Sequence, residues 1–212
     1  MGSLKKLSYL NLSYASFVGM VPNRLGNLSN LRYLDLHQSH YSSNPKLWVS
    51  DLNWLSGLSA LEYLNLGSVN LSLATTNWMQ VVNMLPSLIE LHLRHCELHH
   101  IPRSLPFVNF TSFSVFDLKG NDFSSPIPQW LFNVSTLVDL NLARCGLVGP
   151  LSGVAWGNLC NLRTVYLFIN HFGGEIVEFV VCLSGCSNHS LEILVLDENQ
   201  LSGHLPDSLG HL

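Results

Sequence analysis

The chain has 212 residues, 42 of them leucine, yet only 11% of it is charged and its formal net charge is −4. So apolar a composition excludes a disordered chain, and ten Lys plus Arg against 14 Asp plus Glu leave no basic excess for a nucleic-acid surface. Mean hydropathy is high at +0.25. The uncharged run from Cys145 to Leu162 nevertheless carries four Gly, one Pro and two Asn, so no membrane segment is expected, and the opening MGSLKKLSYL lacks the apolar stretch of a signal peptide.

The leucines share one frame, L-x-x-L-x-L-x-x-N-x-L, repeated along the chain. It fits Leu7, Leu10, Leu12, Ala15 and Phe17, then Leu31, Leu34, Leu36, Ser39 and Tyr41. The third copy is Leu61, Leu64, Leu66, Val69, Leu71, and the fourth Leu88, Leu91, Leu93, Cys96, Leu98. Phe113, Phe116, Leu118, Asn121, Phe123 make the fifth, and Leu137, Leu140, Leu142, Cys145, Leu147 the sixth. Leu162, Val165, Leu167, Asn170, Phe172 and then Leu191, Leu194, Leu196, Asn199, Leu201 complete the series. Successive starts lie 24, 30, 27, 25, 24, 25 and 29 residues apart.

In L-x-L the two leucines face one side of a short strand and the middle residue faces the other. One coil cannot bury its leucines alone, but stacked coils pair their strands and share a continuous core. The ninth frame position suits Asn or Cys, whose side chains satisfy turn backbone groups inside the stack. Ala15, Ser39 and Val69 depart from it, so the first three coils should have a weaker ladder. Twelve residues after the start, Gly recurs as Gly19, Gly149, Gly174 and Gly203, followed by Val21, Leu151, Ile176 or Leu205 and by prolines such as Pro22, Pro128 and Pro206.

This layer, L-x-G-x-[IVL]-P-x-x-L-G-x-L, resembles the plant-specific extracellular leucine-rich repeat. The Trp-bearing stretch from Val49 to Leu98, and GNLCNLRTVYL with CSNHSLEILVLDENQLSGHLPDSLG, are similar to plant receptor-like proteins of the ethylene-inducing xylanase receptor type. The implied fold is an α/β solenoid, a right-handed superhelix of about eight coils with a concave parallel sheet. It forms one domain over 1–212 without terminal caps. The resemblance implies a binding segment at the extracellular face of the plasma membrane, acting in plant defence or peptide signalling. Its partners would be a peptide or protein ligand and receptor kinases, with no cofactor and no enzyme activity. The alternatives are a secreted inhibitor resembling polygalacturonase-inhibiting proteins, or a non-functional truncated fragment.

Particular residues refine these expectations. Cys96 and Cys145 sit on the interior ladder, whereas Cys160 and Cys186 close successive coils and are expected to form a disulfide, leaving Cys182 free. His95, His99 and His100 flank Cys96 and Leu98 and read as turn residues rather than a metal site. Asp117 and Asp139 fall on the outward strand face as solvated carboxylates. Six N-x-[ST] sequons, at Asn11, Asn27, Asn70, Asn109, Asn133 and Asn188, are candidate glycosylation sites. Trp48, Trp54 and Trp78 are expected to anchor convex-side packing. Outward positions in coils one to three read as an ordinary solvated set. Coils seven and eight then place apolar Tyr166, Phe168, Ile193 and Val195 outward, with Ile169 beside them. These are the expected partner contacts, with Arg94, Lys119 and His92 supplying nearby polar contacts.

Overall fold

The computed structural model describes residues 6–39, 46–188 and 190–212. Tyr41, the last frame residue of the second coil, and the first five residues lie outside the described residues. Each frame copy makes one three-residue strand, at Tyr9–Asn11, Tyr33–Asp35, Tyr63–Asn65, Glu90–His92, Val115–Asp117, Asp139–Asn141, Thr164–Tyr166 and Ile193–Val195. They pair in parallel, in sequence order, as one eight-stranded sheet. The register is frame on frame: Leu34 lies opposite Leu64, and Val165 opposite both Leu140 and Leu194. The frame leucines of coils two to seven are buried in one continuous core, each contributing about 1.5–3 kcal/mol against exposure. At the ends the same positions are less covered. Leu7 and Leu10 are half-buried, Leu12 is exposed, and Leu191, Leu194 and Leu196 are half-buried.

The Asn ladder stitches the coils together. Asn121 Oδ1 accepts the N–H groups of Cys96 and Leu98, and its Nδ2 donates to the Leu93 and Leu118 carbonyls. Asn170 repeats the pattern on Cys145, Leu147, Leu142 and Leu167. The two ladder cysteines fill the slot differently. The Cys96 thiol donates to the Leu66 carbonyl and the Cys145 thiol to that of Leu118. Burial pushes both thiols upward, Cys145 to about 12, which keeps the S–H needed for donation. Where Val69 stands, its N–H turns back to the Leu66 carbonyl, and Leu71 N–H reaches the Cys96 carbonyl.

The turn after each strand has a conformational cost that the sequence does not advertise. Tyr14, Ser68, His95, Gly120, Arg144, Ile169 and Glu198, each eight positions into its frame copy, are left-handed, with φ between 53° and 76°. For residues other than glycine this costs about 1–2 kcal/mol each. A branched Ile169 is the most strained choice. The glycines twelve residues after each start are also left-handed, φ 82° to 95°. Coils that carry them build a second, lateral sheet. Val148–Pro150, His171–Glu175 and Gln200–Ser202 form three parallel strands, and Gly19–Met20 pairs with Leu47–Trp48.

Short helical turns close the convex side, with α1 at Trp78–Val82 and α2 at Val177–Ser184. Neighbouring turns approach so closely that a Cβ on Gly57 would lie 2.1 Å from the Gly26 carbonyl oxygen. Trp78 and Trp54 are buried there, and Trp78 Nε1 donates to the His100 carbonyl. Trp48 does not pack as a convex anchor. It is 38% exposed in the lateral two-stranded sheet, because strand alternation turns its side chain away from the core side taken by Leu47. Cys160 and Cys186 form a disulfide with a Cα–Cα distance of 5.3 Å, tying the end of α2 to the preceding turn. Cys182, on α2 itself, is a free thiol.

Candidate binding face

Three rows of outward side chains run along the concave sheet, two, four and six residues after each frame start. In the first row Tyr9, Tyr33 and Tyr63 stack ring on ring. Centroids are 4.2 and 4.1 Å apart and planes within 14° and 7° of parallel. The "solvated set" of coils one to three is therefore an aromatic ladder. Parallel register at the strand spacing brings identical rings into stacking contact. Burial, followed by the hydrogen bond with Tyr63, pushes the Tyr33 hydroxyl above its ordinary pKa, and burial also raises Tyr63. The ladder ends on His92, whose ring lies 5.2 Å from that of Tyr63.

The middle of the face is ionic and internally paired. His92 Nε2 lies 3.3 Å from Glu90 and its Nδ1 4.0 Å from Asp117. Asp117 corrects the sequence expectation of a solvated carboxylate: it is only 2% exposed. Arg94, one coil earlier and one step along its strand, folds over it and pairs through Nε and Nη2. Asn141 Nδ2 and the Lys119 N–H also donate to Asp117. Asp139 accepts the Thr164 hydroxyl. Glu90, Arg94, Asp139, Asn141 and Tyr166 rim a hollow of about 310 Å³ in this region. Arg94 thus retains a half-exposed guanidinium, but much of its charge answers Asp117. Nothing here isolates a carboxylate for proton transfer.

The last third is apolar. Tyr166 and Phe168 meet edge to face at 6.4 Å, and Lys119 Nζ sits 5.2 Å above the Phe168 ring. Ile193 and Val195 flank them on the next strand, paired with Thr164 and Tyr166. Ile193 is exposed, and Tyr166, Phe168, Ile169 and Val195 are half-buried. The structure thus brings Lys119 together with the four apolar residues, whereas Arg94 and His92 belong to the ionic middle. Among the described residues, no group of three or more His, Cys, Asp or Glu side chains is placed to hold a metal ion. No helix there is long and apolar enough to cross a membrane.

The sequons occupy different settings. Asn11, Asn27, Asn133 and Asn188 are exposed, Asn109 is half-buried, and half-buried Asn70 already donates through Nδ2 to Glu97.

Comparison with known proteins agrees with this architecture. The Leucine Rich Repeat family model matches residues 190–212. Receptor-like protein EIX1 of Solanum lycopersicum is 36% identical across 96% of the chain. The chain belongs to the leucine-rich-repeat receptor-like proteins of plants. It spans 22% of the length of that curated relative. Among solved structures, the plant peptide hormone receptor RGFR1 in complex with RGF2 superposes with a TM-score of 0.75 at 26% identity, covering 99% of this chain and 31% of that one. The Arabidopsis receptor kinase HAESA, in complex with the peptide hormone IDA and the co-receptor SERK1, gives 0.71 at 26% identity over 99% of this chain and 32% of that one.

Proposed function

We propose that this receptor-like chain is a ligand-binding segment, acting at the extracellular face of the plasma membrane in defence or peptide signalling. Its docking face is the concave surface of coils five to eight, and its ligand is an extended peptide or protein segment. The observation that carries this reading is the contiguous set of Tyr166, Phe168, Ile193 and Val195 on the solvent side of adjacent strands, with Lys119 held over Phe168. Apolar residues turned to solvent on a repeat surface mark contact sites, and aromatic rings there serve as anchors. Similar solved receptors bind peptide hormones, and one also holds a co-receptor. By the same likeness, a partner receptor kinase carries the signal onward. The chain acts by binding, not by catalysis.

The test uses a peptide selected against the chain from a displayed random library. Phe168→Ser is expected to weaken that peptide by about 1–2 kcal/mol, roughly five- to thirtyfold. Stability should fall by about 1 kcal/mol, for the lost edge contact with Tyr166 and the ring under Lys119. Ile169→Asn is expected to gain about 1 kcal/mol of stability by relieving the left-handed isoleucine, and to weaken binding. Unchanged affinity in Phe168→Ser would remove the proposed anchor.

A further inference from the structure

Several aromatic rings stay exposed outside the apolar third of the concave face, and two of them stand beside sequons. Phe107 is 55% exposed and Tyr9 57%. Each stands two residues before a sequon asparagine, in Phe107–Val108–Asn109–Phe110–Thr111 and Tyr9–Leu10–Asn11–Leu12–Ser13. Residues two apart on extended backbone project from the same face, ~6.7 Å from each other. Tyr9–Asn11 is the first concave strand. At 107–109 the side-chain amide of Asn83 enforces the same geometry. Its Nδ2 donates to the Phe107 carbonyl and its Oδ1 accepts the Asn109 N–H, both at 2.9 Å. The C=O of Phe107 and the N–H of Asn109 thus point to one partner, as along a strand edge. The other sequons offer no ring at this position. Their residues are half-buried Leu25 and buried Ser68, Leu131 and Cys186.

We propose that Phe107 and Tyr9 are seats for the innermost N-acetylglucosamine of N-linked glycans carried on Asn109 and Asn11. The inference rests on the extracellular reading above. Attachment forms a bond from Nδ2 to the anomeric carbon of a lipid-diphosphate-linked oligosaccharide. It breaks that carbon's bond to the diphosphate and releases one Nδ2 proton. A pyranose turns a row of C–H bonds to one side, and the electron-rich face of an aromatic ring receives them. At Phe107 this covers an apolar side chain that the protein leaves 55% exposed. At Tyr9 the sugar packs against a half-exposed tyrosine whose one face already rests on Tyr33. The Asn11 glycan would thereby shield the coil-one end of the concave surface and leave coils five to eight as the open docking face.

The chain secreted from eukaryotic cells, trimmed by an endoglycosidase to one N-acetylglucosamine per site, provides the test. Glycopeptide mass spectrometry first reads occupancy at Asn109 and Asn11. NMR of the isotope-labelled sugars then reads their ring protons. Those on Asn109 and Asn11 are expected upfield of those on Asn27 and Asn133. The displacement should vanish at Asn109 alone in Phe107→Leu, persist in Phe107→Trp, and vanish at Asn11 alone in Tyr9→Leu. Empty Asn109 and Asn11 would overturn both this inference and the glycosylation of those sites. Occupied sites whose sugar signals match the controls would overturn the inference alone.

Discussion

Asn121→Ala is expected to lower the stability of the chain by about 4 kcal/mol, and to do so without disturbing any surface contact. The side chain is buried and makes four hydrogen bonds to backbone groups across two coils. Alanine would orphan two buried N–H groups and the Leu93 carbonyl, at about 1–3 kcal/mol for each group that water cannot reach, while the Leu118 carbonyl keeps the Cys145 thiol. Some relaxation recovers part of the cost. Asn121→Cys separates this from a loss of volume. A thiol can donate to one carbonyl, as Cys96 and Cys145 do, but it cannot hold both N–H groups, so an intermediate loss of about 2 kcal/mol is expected. Denaturant unfolding checks it. A loss below about 1 kcal/mol for Asn121→Ala would show that the ladder does not staple the coils.

Breaking the Cys160–Cys186 link is the second large effect. The bridge closes a loop with a sequence separation of 26 residues, for which chain entropy gives about 3.5 kcal/mol in a model-dependent treatment. Cys160→Ser is therefore expected to destabilise by about 3 kcal/mol and to free α2 first, since the bridge fixes its C-terminal end. Cys182→Ser should leave the melt nearly unchanged, because that thiol is unpaired and only half-buried. Peptide mapping under non-reducing conditions, with melts of both variants, decides. A melt of Cys160→Ser equal to the parent, or a Cys160–Cys182 peptide, would contradict the assignment.

How much of this the sequence disclosed depends on which interactions repeat. Leucines at fixed spacing must face a common core, so the strand positions, their order and the ladder at Asn121 and Asn170 follow from the frame. The left-handed turn position does not follow. Tyr14, Arg144, Ile169 and Glu198 have no preference for that conformation, and the stacked coil imposes it. Alternation also says only that a residue points outward. It did not show that Arg94 reaches diagonally across coils to bury Asp117. The tyrosine ladder did have a signal, since Tyr9, Tyr33 and Tyr63 occupy one frame position in three successive coils. The lateral sheet had one too, in the glycines that recur at Gly149, Gly174 and Gly203.

The central claim, that coils five to eight of the concave face hold the ligand, is tested most directly by placing a glycan on that face. Ala143→Ser turns Asn141, on the outward side of the sixth strand, into an N-x-[ST] acceptor. Gly67→Ser does the same for Asn65 on the third strand. Each variant, shown glycosylated by mass spectrometry, is assayed with the library-selected peptide. The account predicts that the Asn141 glycan abolishes binding and the Asn65 glycan leaves it intact. Binding that survives a fully occupied Asn141, or is lost equally in both variants, would contradict it.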